Sequence, residues 1–419
     1  MLPSGIIRLG DRRLPTALAS RTCSFHSRGP RLKIVHMCFA APFNQGWTYQ
    51  ENMLPAYHRR AGHGVTVLAM PFEIDEETGR FGPYSPGVYT DESGVLVIRE
   101  RLYWEGPTRR WSRFHLYRGI GRDLAKIQPD VVFIHGLQFM NLRSVSRYCR
   151  SHPKTRVYVD NHADFANSAH GVLSRKVIHG VLWRLGLKSV DEYVTRYWGI
   201  TEESCDFLSD LYRIPRDRVE LLPLGAGVDV QDDGARDEVR ARVRQRLGVA
   251  PSEFLMITGG KIDSRKRVHE IMTAVHEMGR QELKLLVFGS VLPDIRETFD
   301  TLLEEPGVTY AGWADASTIT EYLIAADLAV FPGGQSVLWM HAVVCGVPCV
   351  FRRWPKGSPV DVGGNCVFLE TAEYGELLRT LEGILENRAM FERMRDAALR
   401  PERWKYSYAN IAARAIDEQ

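Results

Sequence analysis

No two cysteines in this 419-residue sequence are spaced as Cys-x2-Cys. The seven present, Cys23, Cys38, Cys149, Cys205, Cys345, Cys349 and Cys366, are odd in number and scattered. That argues against a structural zinc site and against a disulfide framework, and fits free thiols in a reducing, cytoplasmic setting. Charge of one sign is not in excess. The 54 Lys and Arg against 51 Asp and Glu leave +3, without the concentrated basic footprint of a nucleic-acid binder, so no nucleic-acid partner is expected. No apolar run approaches the roughly 18 residues needed to span a bilayer. The first thirty residues hold Arg8, Arg12, Arg13, Arg21 and Arg28 against Asp11 alone, and they lack the apolar core of a secretory signal. Residues 1–31 are expected to be a disordered extension or an overlong gene start; a transit-like segment is the other reading. The Gly-x-Gly-x-x-Gly of a dinucleotide loop is also missing. The stretch after the first strand candidate, Phe43-Asn-Gln-Gly46-Trp-Thr-Tyr-Gln50, has the right place but the wrong spacing, which argues against a nicotinamide or flavin cofactor.

What is present is ordinary globular material, 44% hydrophobic and 25% charged, long enough for two or three domains. Short apolar runs alternate with helical patterns. Lys33-Ile-Val-His-Met-Cys-Phe reads as a buried strand, Tyr49 to Arg60 as a helix, and Val65-Thr-Val-Leu-Ala as the next strand, a βαβ unit. Strands at 129–135, 156–162, 193–199 and 219–222 continue the series, with helices expected at 115–127, 140–151, 172–188 and 203–212. The Gly- and Asp-rich stretch 225–234 interrupts it as a linker. A charged helix over 237–247 opens a second series. Strands are expected at 254–258, 283–288, 308–310, 328–331 and 348–351, with helices near 267–278, 293–303, 317–325, 337–345, 374–396 and 406–416. Two such series predict two mainly parallel sheets with helices on both faces, and ligands beyond the C-terminal strand edges. The expected domains are 32–225 and 226–401, with 402–419 as a C-terminal helix crossing back to the first.

Four stretches could carry chemistry. In Phe254-Leu-Met-Ile-Thr-Gly-Gly-Lys261-Ile-Asp-Ser-Arg265-Lys266-Arg267 a strand is expected to end at Gly259-Gly260 before four basic residues. Glycines there let a ligand approach the backbone, and Lys261 and Lys266 would neutralise a diphosphate. The same residues also read as a solvated basic turn. Phe331-Pro-Gly333-Gly334-Gln335-Ser336-Val337 lies between a strand and a helix, with Ser336 as N-cap, so the helix start offers N–H groups to an anion. His162 closes a strand in Val159-Asp-Asn-His-Ala-Asp164; it is either a working residue at the strand edge or a structural histidine, and His135 stands in the same position one strand earlier. Asp164 could orient either ring. Finally, Arg101 to Arg122 interleaves arginine with Tyr103, Trp104, Trp111, Phe114 and Tyr117. It reads as a helix covering the sheet, or as a patch gripping a glycan or resting on a membrane surface.

Several of these stretches, with others, resemble a family. Gly46-Trp-Thr-Tyr-Gln-Glu-Asn-Met-Leu-Pro-Ala-Tyr-His58, Gly62-His63-Gly-Val-Thr66, Asp160-Asn-His-Ala-Asp164, Gly259-Gly-Lys-Ile-Asp-Ser-Arg-Lys266, Cys345-Gly-Val-Pro348 and Asp361-Val-Gly-Gly-Asn365 together resemble family-4 glycosyltransferases of the GT-B fold. Those of bacterial capsular and surface polysaccharide clusters are most similar. The resemblance covers roughly residues 32 to 416. It implies an α/β architecture of two Rossmann-like domains around an interdomain cleft. It also implies retaining, metal-independent transfer from a nucleoside diphosphate sugar, which serves as co-substrate with no further cofactor, to a glycan, lipid-linked or small-molecule acceptor. By that resemblance Lys261 and Lys266 contact the donor diphosphate and Gly46 lies near donor phosphate and acceptor. His162 contacts the transferred sugar, and Gly260, Gly334, Gln335, Ser336 and Val337 line the donor site. The sequence departs from the family at its Glu-x7-Glu pair. Gly333, Gly334, Gln335 and Ser336 hold no acid, and the second position falls on His341, or on Met340 under a one-residue shift. Gln335 or His341 is expected to serve the hydroxyls instead. The same departure motivates a rival expectation, a non-catalytic GT-B-like subunit that binds sugar or nucleotide beside a partner enzyme.

Overall fold

The computed structural model describes residues 31–74, 81–83, 86–103, 116–165, 168, 179, 181–228, 233–354, 356, 360–371 and 373–418. Trp104, Trp111 and Phe114, the first part of the 172–188 helix and the 1–30 stretch lie outside them. The chain divides into two compact units, one containing the first sheet together with residues 408–419, the other running from Gly225 to Ser407 except 356–358.

The first unit starts β1 (Lys33–Cys38), α1 (Gln50–Arg60), β2 (Gly64–Ala69), the βαβ unit legible in the sequence. Four strands follow that the sequence reading did not resolve: β3 (Phe72–Ile74), β4 (Phe81–Pro83), β5 (Gly87–Thr90) and β6 (Leu96–Arg99). β3 and β4 form a separate antiparallel pair, and β5 closes the main sheet's edge antiparallel to β6. Then come α2 (Ile120–Ile127), β7 (Val131–His135), α3 (Leu142–Ser151), β8 (Arg156–Asn161), α4 (Arg184–Lys188), β9 (Val194–Gly199), α5 (Glu202–Tyr212) and β10 (Val219–Leu221). The sheet order is β10-β9-β8-β7-β1-β2-β6-β5. Strand order therefore reverses between β1 and β7, where open α/β sheets bind ligands.

The faces of this sheet are set by strand alternation. Val35, Met37, Val132, Ile134, Val157 and Val159 point into one core. Ile34, Phe133 and Tyr158 point into the other, with Leu54 and Tyr57 of α1. Two residues further along the same strands, on this second face, stand His36, His135 and Asp160. The face thus grades from apolar to polar towards the C-terminal edge.

The second unit begins with α6 (Asp233–Leu247), longer at its start than the sequence suggested. One face of α6 carries arginine at every fourth position, and each grips backbone carbonyls. Arg236 donates to Cys345 and Gly346. Arg240 donates to Ala325 and Ala326, both at 2.8 Å, and Arg244 donates to Ala325 at 3.2 Å. These are the unpaired carbonyls where helices end, and cations suit them electrostatically. The strands and helices that follow are β11 (Phe254–Ile262), α7 (Val268–Met278), β12 (Leu283–Val291), α8 (Arg296–Leu303), β13 (Val308–Tyr310), α9 (Ala316–Ala325), β14 (Leu328–Phe331), α10 (Val337–Val344), β15 (Cys349–Arg352) and β16 (Cys366–Leu369). α11 (Tyr374–Glu386) and α12 (Arg388–Ala398) complete it. They replace the single helix expected over 374–396: Asn387 leaves helical geometry, and its side chain accepts from Met390 N to start the second helix. The sheet is wholly parallel, in the order β13-β12-β11-β14-β15-β16, and reverses between β11 and β14. The last helix, α13 (Tyr408–Ala415), belongs to the first unit. Its Tyr408, Ile411, Ala412 and Ala415 pack on the α1 face of the first sheet. Each unit is thus a Rossmann-like domain, the pairing that defines the GT-B fold.

Candidate functional site: a basic switch point and a buried histidine cluster

In the second unit, strand β11 does not stop at Gly259-Gly260. It stays paired with β12 through Lys261 to Ile262, opposite Val291. The glycines are required by that neighbour. A Cβ on Gly259 would lie 2.2 Å from the Phe288 carbonyl oxygen, and one on Gly289 would lie 1.9 Å from that of Gly260. Gly260 also has φ +110°, open only to glycine at little cost. Close approach of β12 is the structural reason for Gly259; for Gly260 it is the positive φ, with Leu338 Cδ1 2.9 Å from where a Cβ would stand. Lys261 projects from the extended strand end, exposed and without a hydrogen-bond or ion-pair partner among the described residues.

After β11 the chain makes one 3-10 turn over Ser264–Lys266. Asp263 caps it, accepting from Lys266 N at 3.1 Å and from Arg265 Nη2 at 2.6 Å. This turn runs against the loop after β14. A Cβ on Gly333 would sit 2.8 Å from both Arg265 O and Lys266 Cα, and Lys266 Nζ donates to Gly334 O at 3.3 Å. The two stretches singled out in the sequence therefore meet at the β11/β14 switch point, beside the start of α10. Ser336 occupies the N-cap position without a side-chain capping bond, and helix starts leave their first N–H groups without intrahelical partners. Lys266 is half-buried; burial pushes its ammonium pKa down, with Asp263 opposing. The recess beside it, bounded by Thr258, Gly259, Phe331, Ser336 and Trp339, is about 10 Å³, room for about one water. Thr258 Oγ1 and Trp339 Nε1 are buried without a hydrogen-bond partner among the described residues. A larger cavity of about 220 Å³ touches Leu255, Lys284, Leu286 and Thr309, near the strand starts, away from the edge where such folds work.

His341 is not brought to this loop. It is buried, its pKa held down to about 4 by burial. Its Nε2 lies 2.8 Å from Thr320 Oγ1. That hydroxyl already donates to Ala316 O at 2.8 Å, so the imidazole N–H is the donor. Met340 is buried too, while Gln335 stays on the loop with Nε2 3.8 Å from Met340 Sδ. This differs from the expected hydroxyl contact of His341: the ring is tied down onto α9.

In the first unit the residue following β8, His162, is partly exposed and sits between two carboxylates. Its Nε2 is 3.3 Å from Asp160 Oδ2 and its Nδ1 is 3.5 Å from Glu51 Oε1. Burial opposes its charge, but these two anions prevail and raise its pKa to about 9. Asp160 is wholly buried. Burial alone would raise its pKa; His135 and His162 overcome that and hold it well below the usual carboxylate range. His135 Nδ1 lies 2.9 Å from the same Oδ2, and Gln50 Nε2 donates to it at 3.1 Å. Asn161 shapes the turn that carries His162, bonding both the N–H and the carbonyl of Ala163 and reaching Ser204 O. Asp164 lies on the same turn, half-buried, with its carbonyl accepting from Ser168 N. The carboxylates flanking His162 are Asp160 and Glu51, a pair the sequence reading did not assign. Gly46 sits in the exposed loop after β1 with φ +75°.

His135, Asp160 and His162 present nitrogen and oxygen atoms within 4.8 Å of one another. The 2.9 Å separation of His135 and Asp160 is that of a hydrogen bond, so the cluster stands as a bonded ion network. The described cysteines Cys38, Cys149, Cys205, Cys345, Cys349 and Cys366 are free, and no helix among the described residues is long and apolar enough to cross a membrane.

Two sheets of this topology with these switch points define the GT-B class of fold. Comparison with known proteins agrees. Residues 253–387, within the second unit, match the family described as glycosyl transferases group 1. The D-inositol 3-phosphate glycosyltransferase of Nocardia farcinica is 26% identical over 209 residues, 46% of this chain and 44% of that protein; the match spans under half of that relative's length. Among solved structures, a glycosyltransferase from Rickettsia africae superposes with TM-score 0.64 at 11% identity, over 92% of this chain and 97% of that one. The Anabaena protein HepE in complex with UDP superposes with TM-score 0.60 at 13% identity, over 91% and 98%. At such identities the structures establish the shared fold.

Proposed function

We propose that this protein is a glycosyltransferase that moves a sugar from a nucleoside diphosphate sugar to a glycan, lipid-linked or small-molecule acceptor. The transfer is retaining and needs no divalent metal, as in the family-4 enzymes of surface polysaccharide or glycoconjugate synthesis. The reading is supported by one observation above others: the Lys266 turn and the Gly333–Ser336 loop meet at a topological switch point beside a helix start, inside the segment that matches group 1 glycosyltransferases. The solved relative HepE is known with UDP and with UDP-glucose, a donor of the proposed class.

The departing diphosphate would gain charge as the sugar leaves. Lys266, Lys261 and the N–H groups opening α10 supply positive potential for that charge, and preorganised donors of this kind act most strongly where water is scarce. Gly260, Gly334, Gln335, Ser336 and Val337 line the donor, and Gly46 lies near donor phosphate and acceptor. His162, a cation between Asp160 and Glu51, is assigned a contact to the transferred sugar, with Asp164 on the same turn. We place the protein in the cytoplasm, with a peripheral membrane contact through 101–122 as part of the proposal.

A second reading is favoured by the loop chemistry. No acid stands at 333–336 and His341 is tied to Thr320, so a non-catalytic sugar- or nucleotide-binding subunit is the rival. Incubating the purified protein with UDP-, GDP-, ADP- and dTDP-sugars and measuring nucleotide release separates the two. Turnover with at least one donor is expected. Tight nucleotide binding with no release across the panel would favour the rival.

A further inference from the structure

Behind Asp160 runs a file of three buried imidazoles that the sugar-transfer reading does not use. His135 Nε2 is 3.0 Å from His36 Nδ1, His36 Nε2 is 3.0 Å from His58 Nδ1, and His58 Nε2 is 2.8 Å from the carbonyl oxygen of Ala412 in α13. All three rings are at most 1% exposed. They come from β1, α1 and β7; the His36 and His135 rings lie 5.3 Å apart at 19°, and the His36 and His58 rings 5.2 Å apart, tilted at 30°.

The two ends of the file accept only. Ala412 O is a carbonyl, and Asp160 Oδ2 is a carboxylate oxygen that also receives Gln50. Four hydrogen bonds then need four N–H groups, and three neutral rings carry three. One ring must hold a second proton. His58 and His36 are poor places for it. Burial lowers His58 to about 3 with the neighbouring imidazoles adding to the effect, and it lowers His36 well below its ordinary value. His135 alone touches the anion, at 2.9 Å.

We propose that His135 is an imidazolium fixed by this one-way file, and that it positions His162 by holding Asp160 as a carboxylate in one rotamer. The direction is set from the C-terminal helix: Ala412 accepts from His58 Nε2–H, His58 Nδ1 accepts from His36 Nε2–H, and His36 Nδ1 accepts from His135 Nε2–H. His135 Nδ1–H then donates to Asp160, whose same oxygen faces His162. Apolar substitution in the middle of the file removes the acceptor for a buried N–H, and the unmet group costs more than the bond itself contributed. The file's polarity rests on its four hydrogen bonds together with the contact of His135 to Asp160; its effect on turnover rests on the sugar-transfer reading.

The polarity is read directly in the full chain labelled with 15N-histidine, by two-bond proton–nitrogen correlation at pH 7, each ring assigned from the loss of its signal in a His→Gln variant. His36 and His58 are expected as neutral Nε2–H tautomers and His135 as doubly protonated. An Nδ1–H tautomer at His36 or His58, or a neutral His135, would overturn the proposal. So would a stoichiometric divalent ion in elemental analysis of the purified protein, which would replace the proton between His135 and Asp160. For the positioning role, His36→Phe should lower kcat about tenfold, the scale of one lost buried hydrogen bond, with KM for the donor nearly unchanged. His36→Gln accepts on one side and donates on the other and should restore most of the rate. If His36→Phe does not fold, His58→Leu against His58→Gln makes the same comparison. Equal rates in the apolar and Gln variants refute positioning. Absence of turnover in the unaltered protein, with the tautomers as stated, refutes sugar transfer and leaves the file standing.

Discussion

The two candidate regions place charge in opposite ways. In the second unit, Lys261 and Lys266 lie in one continuous stretch of sequence, exposed or half-buried, and the Lys266 ammonium donates to a carbonyl at 3.3 Å. In the first unit, Asp160 is fully buried and touched by His135, Gln50 and His162, residues drawn from a neighbouring strand, a helix and a turn. A loosely met surface cation is ready to bind an anion. A closed network of buried ions is balanced internally, and removing one member leaves the others unpaired.

That contrast orders the expected effects. Asp160→Asn should be the most damaging, since it strips the anion from between His135 and His162. Urea denaturation should report a loss of about 3–5 kcal/mol, whereas Lys266→Ala should leave the unfolding free energy within about 1 kcal/mol of the unaltered protein. Comparable losses in both would erase the distinction between the regions. Next comes Gly259→Ala, whose new Cβ meets the Phe288 carbonyl at 2.2 Å. A backbone oxygen cannot yield as a flexible side chain would, so about 1–3 kcal/mol of stability should go. An alanine that melts like the parent would show that β11 and β12 are not held this closely.

A smaller effect concerns pH. Glu100 is buried beside Asp123, and burial, with that neighbour, raises its pKa to about 8. A folded value above the unfolded 4.5 means that the folded state binds the extra proton. This contribution is fully present below about 4.5 and is lost as pH rises through about 8. His162 adds a like dependence between its ordinary 6.5 and about 9. Glu100→Gln should therefore remove the decline in melting temperature between about pH 4.5 and 6.5 and leave the part that His162 carries between about 6.5 and 9. A decline unchanged by the substitution would remove Glu100 from the account.

The two regions also differ in how far they could be read from sequence. The alternation of short apolar runs with helices gave both parallel sheets, because buried parallel strands have a signature that needs no partner to recognise. The loops at 259–267 and 331–337 were visible because glycines pair in both and basic residues concentrate in the first. What the glycines do was not visible: Gly259 is set by the Phe288 backbone on the adjacent strand and Gly333 by the backbone of Arg265 and Lys266. The strands β3 to β6 escaped because they are short and lie at or next to a sheet edge or in a separate antiparallel pair, with little apolar periodicity. The histidine file escaped for a different reason. The buried residues of α1 include Gln50, Glu51 and His58 beside Leu54 and Tyr57, so a search for an apolar stripe passes over it. Its partners, His36, His135, Asp160 and Ala412, are spread over almost the whole chain. The available signal was strand alternation: His36, His135 and Asp160 each follow an apolar residue of the same face by two positions.

The central claim is that a diphosphate is held at the switch point of the second sheet. Titration calorimetry of UDP, GDP, ADP and dTDP into the intact protein, into Lys261→Ala and into Lys266→Ala tests it most directly. At least one nucleotide should bind, and each substitution should weaken it by about 1–3 kcal/mol, as for a charge-assisted hydrogen bond. Unchanged affinity in both variants would contradict it.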